Sequence, residues 1–433
     1  DNLFLAADSR NRADWLLGVN SSHAICKAVG FGNNSLGRVQ TPVLAEICRR
    51  YRERENHMPA DSWPVFISLC KNDRILKMRH VDDLVARREA LALYEDCKAA
   101  KNARITAVRK RTEEIGAPAL YNLAELQKDA NRYHGLTAIQ VQEIAQSLYE
   151  KRLISYPRTS SRLLPGDVYD TLPPVMEKML SRKEFRQYAG MVDLAAPQDS
   201  IGAQDTMEHH AIIITGIQPG KLGREEMQVY TLIVGRVLET FMPPCKVEYT
   251  TVDAVCAARK FRIRTYRILE KGWLGIFERE HIVAKGCMPC PMLPEFFQEE
   301  ILPVAGCSLI HKKSLPVSPY TDEELVDYMD KAGLGTVSTR TNILRTLLER
   351  KYIRYSGKYV VPTPKGLFLY ETVRGMKVAD ASLTSGWETE LARIERGELS
   401  QEEFLDGVLE TVNEVTGEIF RNHPVEKRPQ GTI

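Results

Sequence analysis

Several features are scarce in this sequence of 433 residues. It has no run of about 20 apolar residues, the length a membrane-spanning helix needs. Its N-terminus lacks the basic-then-apolar layout of a signal peptide, so the expectation is a soluble, intracellular protein with no membrane contact. Net charge is scarce too: 59 Lys and Arg against 57 Asp and Glu leave +2. That balance says nothing by itself about nucleic acid, because a clefted or toroidal binder can carry a basic lining under an acidic exterior. The nine cysteines are irregularly spaced, and Cys287-Met-Pro-Cys290 is the one close pair. A structural zinc would need a second ligand pair, for which only Cys307 and His311 are near, so the thiols read as reduced and no metal site is expected. With 43% hydrophobic residues the chain can bury several cores, and two to four domains are expected.

What is present is organised around KRLISYPRTSSRLLP, Lys151 to Pro165. Ile139, Ile144, Leu148 and Tyr149 recur at helical spacing ahead of it. The helix breaks at Ser155-Tyr156-Pro157-Arg158, where proline cannot continue it and biases Tyr156 towards an extended backbone. Tyr156 thus stands at the mouth of a loop, with a guanidinium two residues on. A phenol, with a pKa of about 10, is a poor nucleophile at neutral pH. A fixed cation stabilises the developing phenolate and grips a phosphodiester through its planar donor fork. That is the chemistry of transesterification onto tyrosine. On these residues alone, a helix-ending aromatic beside a surface arginine is the alternative.

Other stretches add to this. Leu3 to Asp8 reads as a strand ahead of the helical ADWLLGVNSSHAICKAV. After the glycine-rich VGFGNNSLG, Pro42 to Arg54 reads as a helix capped by Thr41, its positive end presenting Arg38 and Gln40 to an anion; an ordinary capped helix with a solvated basic start is the other reading. Strands are expected at PVFISL, KNDRILKM and RITAVRKRTEE, with a helix from Asp82 to Ala100 between the last two. Arg109, Lys110 and Arg111 either meet a phosphate backbone or are simply solvated. A helix is expected after Pro165 and a polar region to about Asp205. His209 and His210 precede the β-branched run Ile212 to Thr215, and in a strand they would face opposite ways, leaving one of them presented to solvent or substrate. In RKFRIRTYRI, Lys260, Arg262 and Arg264 alternate with Phe261 and Ile263, giving a sheet with one basic face. Towards the C-terminus, a helix from Tyr320 to Lys331, a tight AGLGTVS turn, a helix from Thr339 to Arg350 and a hairpin around Ser356-Gly357 have the winged-helix layout.

LISYPRTSSRLLP resembles the active-site segment of type IA DNA topoisomerases, most like the topoisomerase III branch. AADSRNRADWLLGVN at Ala6 to Asn20, GRVQTPVLA at Gly37 to Ala45 and HHAIIITG at His209 to Gly216 resemble other signatures of that family in its usual order. So do the stretches Ser318 to Ile353 and Leu383 to Gly397. Two departures stand out: His23 where relatives usually carry arginine, and Ile214 in place of a proline, which should leave the strand more regular. The resemblance implies a multidomain α+β fold, the type IA toroidal arch. Its parts would be a helical, winged-helix-containing DNA-binding domain (1–62 plus 317–433), a strand-rich arch domain (63–116 plus 237–316) and a helical nucleophile domain (117–236). It implies Tyr156 as nucleophile, Arg158 and His209 on the scissile phosphate, and Arg10, Arg12, Arg38, Gln40, His210, Thr336 and Arg340 as DNA contacts. The cofactor implied is Mg2+, held by an acidic Toprim domain that nothing in this sequence matches. A fragment deficient in cleavage is therefore expected, with no metal of its own.

The partners implied are single-stranded DNA at the cleavage groove and duplex DNA in the central hole, with a helicase as a candidate protein partner. The expected state is a monomer, and the expected location the cytoplasm of a bacterium, at the nucleoid. The alternative function is a non-catalytic single-stranded DNA-binding module. A tyrosine recombinase would need an Arg…His-x-x-Arg…Tyr order and a relaxase a histidine triad, and neither is present.

Overall fold

The structure is a computed structural model that describes residues 2–29, 33–183, 185–193, 209–337 and 339–423. Glycines 30 and 32 of the glycine-rich stretch, the polar region from 194 to about Asp205 and the tail after His423 lie outside the described residues. The chain opens with helices α1 (Asn2–Val29) and α2 (Gln40–Glu55). Leu3 to Asp8, expected as a strand, is helical. Ala6, Ser9, Ala13, Leu17, Ser21 and Ile25 are buried at helical spacing, and packing along that stripe outweighs the apolar start. Thr41 does not cap α2 as expected. The helix already begins at Gln40, the Thr41 hydroxyl accepts the Gly37 N–H at 2.9 Å, and Pro42 sits in the first turn, where its missing N–H costs nothing.

Strands β1 (Asp61–Ser62), β2 (Val65–Lys71) and β3 (Arg74–His80) follow, then α3 (Arg87–Ala99) and β4 (Asn102–Ile115). The helix expected from Asp82 starts only at Arg87. Beyond β4 the chain leaves the sheet and builds an inserted helical body from α4 (Leu123–His134), α5 (Ala138–Glu150), α6 (Gly166–Tyr169), α7 (Leu172–Leu180) and α8 (Arg224–Thr240). Asn122 caps α4, and a Thr137/Gln140 capping box starts α5. The Ile212–Thr215 run is not a regular strand. Ile212 bridges Tyr121 and Ile214 bridges Ile154, two separate partners that leave no continuous ladder, so replacing the family's proline by Ile214 does not regularise it.

The chain returns through β5 (Cys245–Cys256), β6 (Arg259–Glu270), the short α9 (Leu274–Phe277) and α10 (Glu280–Ala284), β7 (Met288–Pro289), β8 (Ile301–Leu309) and β9 (Lys312–Lys313). The sheet order is β3-β2-β8-β4-β5-β6-β7, and β3 also pairs with β6 (Arg79↔Arg262, His80↔Phe261), so six strands close into a barrel. Val65, Ile67, Met78, Ile105, Val252, Phe261 and Ile263 fill it together with Leu93 of α3. Since strand side chains alternate, Arg262 and Arg264 stand on its outside. Strands β4 and β5 run antiparallel along their full length to the pair Ile115↔Cys245, where both connections to the inserted body leave the barrel.

The C-terminal part consists of β10 (Tyr320–Thr321), α11 (Asp322–Lys331), α12 (Arg340–Glu349), β11 (Ile353–Ser356), β12 (Tyr359–Pro362), α13 (Pro364–Val373), α14 (Ala381–Glu395) and α15 (Gln401–Asn422). Two helices and the three-stranded sheet β10-β12-β11 make the winged-helix layout. One apolar core joins the chain's ends: Leu17 and Ile47 pack with Leu325, Leu344, Trp387, Phe404 and Ile419. The chain is thus a multidomain α+β protein with a closed β-barrel and helical bodies.

The inserted body meets the other parts through packing of Ala124 and Ala138 and through polar contacts. Against α11 it makes polar contacts: Lys128 to Asp327 at 2.8 Å, Arg132 to Glu323, and the Ala138 N–H to Asp322 at 2.8 Å. Towards the barrel it receives Arg279, only 1% exposed, from between α9 and α10. This guanidinium lies 3.0 Å from Asp129 and 3.5 Å from Glu239, and donates to the Tyr121 hydroxyl at 3.0 Å. Arg236 pairs with the same two carboxylates at 2.8 and 3.0 Å. Burial pushes the Glu239 carboxyl up to about 7 in spite of both arginines. Among the described residues no helix is long and apolar enough to cross a membrane.

Candidate functional site

Helix α5 ends in a left-handed residue, Arg152 (φ 58°), and the chain then turns into the loop that carries Tyr156. Hydroxyl groups stitch this loop to the 209–215 segment. Ser155 Oγ donates to the Ala211 carbonyl at 3.0 Å and accepts the Ile213 N–H at 2.9 Å, and Thr159 Oγ1 donates to the His209 carbonyl at 3.1 Å. Between these stitches the Tyr156 ring is half-buried, 4.3 Å from the His209 ring and edge-on to Tyr149 at 5.5 Å. Arg158 is half-buried, and its Nε is shielded from solvent without a hydrogen-bond partner among the described residues. His209 is the exposed member of the histidine pair. His210 is half-buried, and its Nδ1–H donates to the Ala211 carbonyl at 2.7 Å. Tyr156 and His209 are therefore in ring contact, Arg158 follows two residues after Tyr156, and His210 is turned to the backbone.

A groove of about 310 Å³ lies in the helical body where α1, α2, α14 and the turn before α12 meet. Of the residues singled out in the sequence, Arg10, Arg38, Gln40 and Thr336 line it. Arg38 does not offer a free charge there. It is 5% exposed, with Nε 2.7 Å from Asp14 and Nη1 2.8 Å from Glu388, and its guanidinium lies 5.6 Å from the Trp387 ring centre. Burial pulls its pKa down, but the two carboxylates outweigh that and hold it above its ordinary value. Glu388 also takes Arg10 at 2.7 Å; burial pushes it up, and the two arginines more than reverse this, so it lies below the usual carboxylate range. Gln40 lines the groove at the start of α2 with its amide 3.5 Å from Ser35 Oγ, while the Thr41 and Val43 N–H groups are taken by the Gly37 and Val39 carbonyls and the Arg340 N–H by the Thr336 carbonyl. Arg340 is buried against Gly335, with Nη1 2.7 Å from Asp330. Arg12 lies away from the groove lining, exposed and paired with Asp8 at 2.8 Å.

The outside of the barrel carries a cationic face. Arg264 is shared by two depressions of about 410 and 330 Å³, the first also lined by Lys77 and Arg79, the second by Arg109, Arg111 and Lys285. Asp253 pairs with Arg109 and Arg262 within this face.

Asp14, Glu388, Ser155 and Thr159 gave no signal in the sequence as parts of these sites. Their partners lie far off in the chain, and no local spacing reports such pairs. Among the described residues no group of three His, Cys, Asp or Glu could hold a metal ion. His311 is stacked on Trp63 at 4.1 Å and paired with Asp61 at 2.7 Å, and Cys307 donates to the Phe66 carbonyl at 3.3 Å, so neither is placed as a zinc ligand with Cys287 and Cys290.

Comparison with known proteins gives a consistent result. The family described as DNA topoisomerase matches residues 1–406. DNA topoisomerase 1 of Methanocaldococcus jannaschii is 29% identical over 410 residues, covering 93% of this chain and 52% of that protein. DNA topoisomerase 1 of Pyrococcus horikoshii is 29% identical over 440 residues (97% and 62%), and DNA topoisomerase 3 of Bacillus licheniformis 28% over 450 residues (97% and 61%). The chain thus spans about half to three-fifths of the length of these curated relatives. Among solved structures, full-length topoisomerase I from Thermotoga maritima shares the fold, with a TM-score of 0.75 over 99% of this chain and 71% of that chain at 20% identity.

Proposed function

Because the chain belongs to the type IA DNA topoisomerase family, we propose that it carries the DNA-cleaving tyrosine of such an enzyme, with Tyr156 as the nucleophile. The observation that carries this reading is the shielded Nε of Arg158, unpaired among the described residues, two residues from a tyrosine whose ring lies on His209. A buried polar group without a partner is costly, and a phosphodiester oxygen is the acceptor a guanidinium fits.

In this reading the Tyr156 oxygen attacks the phosphorus of a single-stranded segment. The bond from phosphorus to tyrosine oxygen forms as the bond to the 3′-oxygen breaks; the phenol loses its proton and the 3′-oxygen gains one. Arg158 and His209 hold the non-bridging oxygens as charge develops on them. The 5′-phosphotyrosine keeps the ester bond energy, so the 3′-hydroxyl reseals the strand without ATP once another strand has passed. The single strand lies in the groove of the helical body, on Gln40 at the start of α2 and Thr336 in the turn before α12. Arg10, Arg38 and Arg340 hold the walls, while Arg12 and His210 lie at the margins. The cationic outer face of the barrel meets duplex DNA in the central hole.

Magnesium, when bound, supplies positive charge beside the transferring phosphate. The described residues offer no carboxylate cluster that fits it, so the metal and the acid for the leaving oxygen are assigned to a Toprim part of a longer protein. This chain alone then binds DNA and cleaves it poorly or not at all. A topoisomerase III-like identity rests on the stretch Leu153 to Pro165, since topoisomerase 1 and 3 relatives are matched about equally. A monomer in the bacterial cytoplasm, with a helicase as partner, completes the proposal.

Covalent trapping of end-labelled DNA on denaturation tests it. The longer protein should yield an adduct and relax negatively supercoiled DNA in magnesium, and Tyr156→Phe should abolish both. An adduct surviving in Tyr156→Phe would sink the nucleophile assignment, and an adduct on this chain alone would sink the division of labour.

A further inference from the structure

Tyr156, Arg158 and His209 sit inside a closed loop of chain that two hydroxyl groups complete. Ser155 closes it on one side through Ala211, and Thr159 on the other through His209. The Ser155 clasp is backed by neighbours: the Ser155 N–H donates to the Ile213 carbonyl at 2.9 Å, and the Ala211 N–H donates to the Leu163 carbonyl at 3.0 Å. The Thr159 clasp is the outermost of these bonds among the described residues. His209 presents its ring to solvent and to Tyr156, and its carbonyl is held by Thr159 Oγ1 at 3.1 Å. Thr159 is itself well anchored. It is 3% exposed, its hydroxyl accepts the Ser161 N–H at 3.0 Å, and its carbonyl accepts the Leu123 N–H at the start of α4 at 3.2 Å. Branching at Cβ and burial restrict the side-chain torsion, so the hydroxyl oxygen is held in place between the Ser161 N–H and the His209 carbonyl.

We propose that Thr159 is a positioning residue for DNA cleavage: its buried hydroxyl holds the His209 backbone and thereby sets the imidazole against Tyr156. This rests on the reading of Tyr156 as nucleophile. The hydroxyl oxygen accepts the Ser161 N–H within its own loop, and its O–H donates across to the His209 carbonyl. What the second bond adds is the place of the histidine.

The test uses the longer protein and the single-turnover rate of adduct formation on an end-labelled single-stranded oligonucleotide. Thr159→Val keeps the shape and removes the hydroxyl with both of its bonds, and should slow cleavage roughly tenfold through loss of the one to His209. Thr159→Ser restores the hydroxyl and should stay within about twofold of the parent. In a His209→Ala background, Thr159→Val should add no further loss, because there is no imidazole left to place. A parental rate in Thr159→Val, or equal slowing with and without His209, would overturn the proposal. If Thr159→Val does not fold, Thr159→Ala in the same two backgrounds gives the same comparison. Tyr156→Phe separates the two ideas: an adduct persisting there defeats the nucleophile reading, whereas loss there with a parental Thr159→Val rate defeats only the role of Thr159.

Discussion

Two arginines, Arg38 and Arg158, have opposite situations in the structure. Arg38 has its charge spent on Asp14 and Glu388, and Arg158 has a shielded nitrogen with no partner among the described residues. Arg38→Ala should therefore cost stability, about 2 kcal/mol once the partial exposure of both carboxylates is discounted, and weaken oligonucleotide binding mainly through the altered groove. Arg158→Ala strands no carboxylate and should leave the unfolding free energy within about 1 kcal/mol, yet slow cleavage by orders of magnitude in the longer protein. Chemical denaturation beside adduct formation separates the two behaviours, and equal stability losses would contradict the contrast. The residue types at the site were legible in the sequence through the tyrosine-proline-arginine break and the histidine pair. That Arg38 is neutralised was not, because Glu388 approaches it through packing of α14 and no pattern near Arg38 reports that.

At the scale of elements, period-two alternation carried the reading, whereas the one cap expected, Thr41 on α2, is not made. Strand β6 alternates as expected, with Phe261 and Ile263 inside and the cations outside, and α11 starts at the Thr321/Glu324 capping box. Two readings failed where partners lie elsewhere: the start of α1, fixed by its long buried stripe, and the Ile212–Thr215 run, whose β-branched residues bridge two unrelated segments. Closure of the barrel through β3 and β6 has no local signature either. One turn runs against propensity. Ala257 and Ala258 join β5 to β6 with φ of 48° and 60°, a left-handed pair that alanine adopts at a cost. The double substitution Ala257→Asn with Ala258→Gly supplies the residues such a two-residue hairpin favours and should stabilise the protein by about 1 kcal/mol. No rise in the thermal midpoint would mean that the turn is not strained as described.

At the scale of the whole molecule, the cluster around Arg279 ties the inserted body to the barrel, and its titration should be visible. A folded-state carboxyl raised from about 4.5 to about 7 holds a proton that the unfolded chain has already lost. Stability contributed by Glu239 is thus fully present below about pH 4.5, falls as pH rises towards about 7, and is level above that. The fall amounts to at most about 3 kcal/mol. Glu239→Gln should flatten this part of the profile, measured as denaturation free energy at about pH 5 and about pH 7.5; an unchanged difference between the two pH values would show that Glu239 is ionised throughout.

The paired strand ends at Ile115 and Cys245 also define how the molecule carries load. DNA joined to Tyr156 and pulled away from the barrel would apply its tension to both connections at one end of the β4–β5 ladder. In that direction the rungs are strained one after another from Ile115 inwards, as in a zipper, and not all together as in shear. The Arg279 cluster lies beside the ladder and bears the tension in parallel with it. Lys128 and the Ala138 N–H hold the same body to Asp327 and Asp322 of α11, so such tension would divide between the barrel and the C-terminal helices.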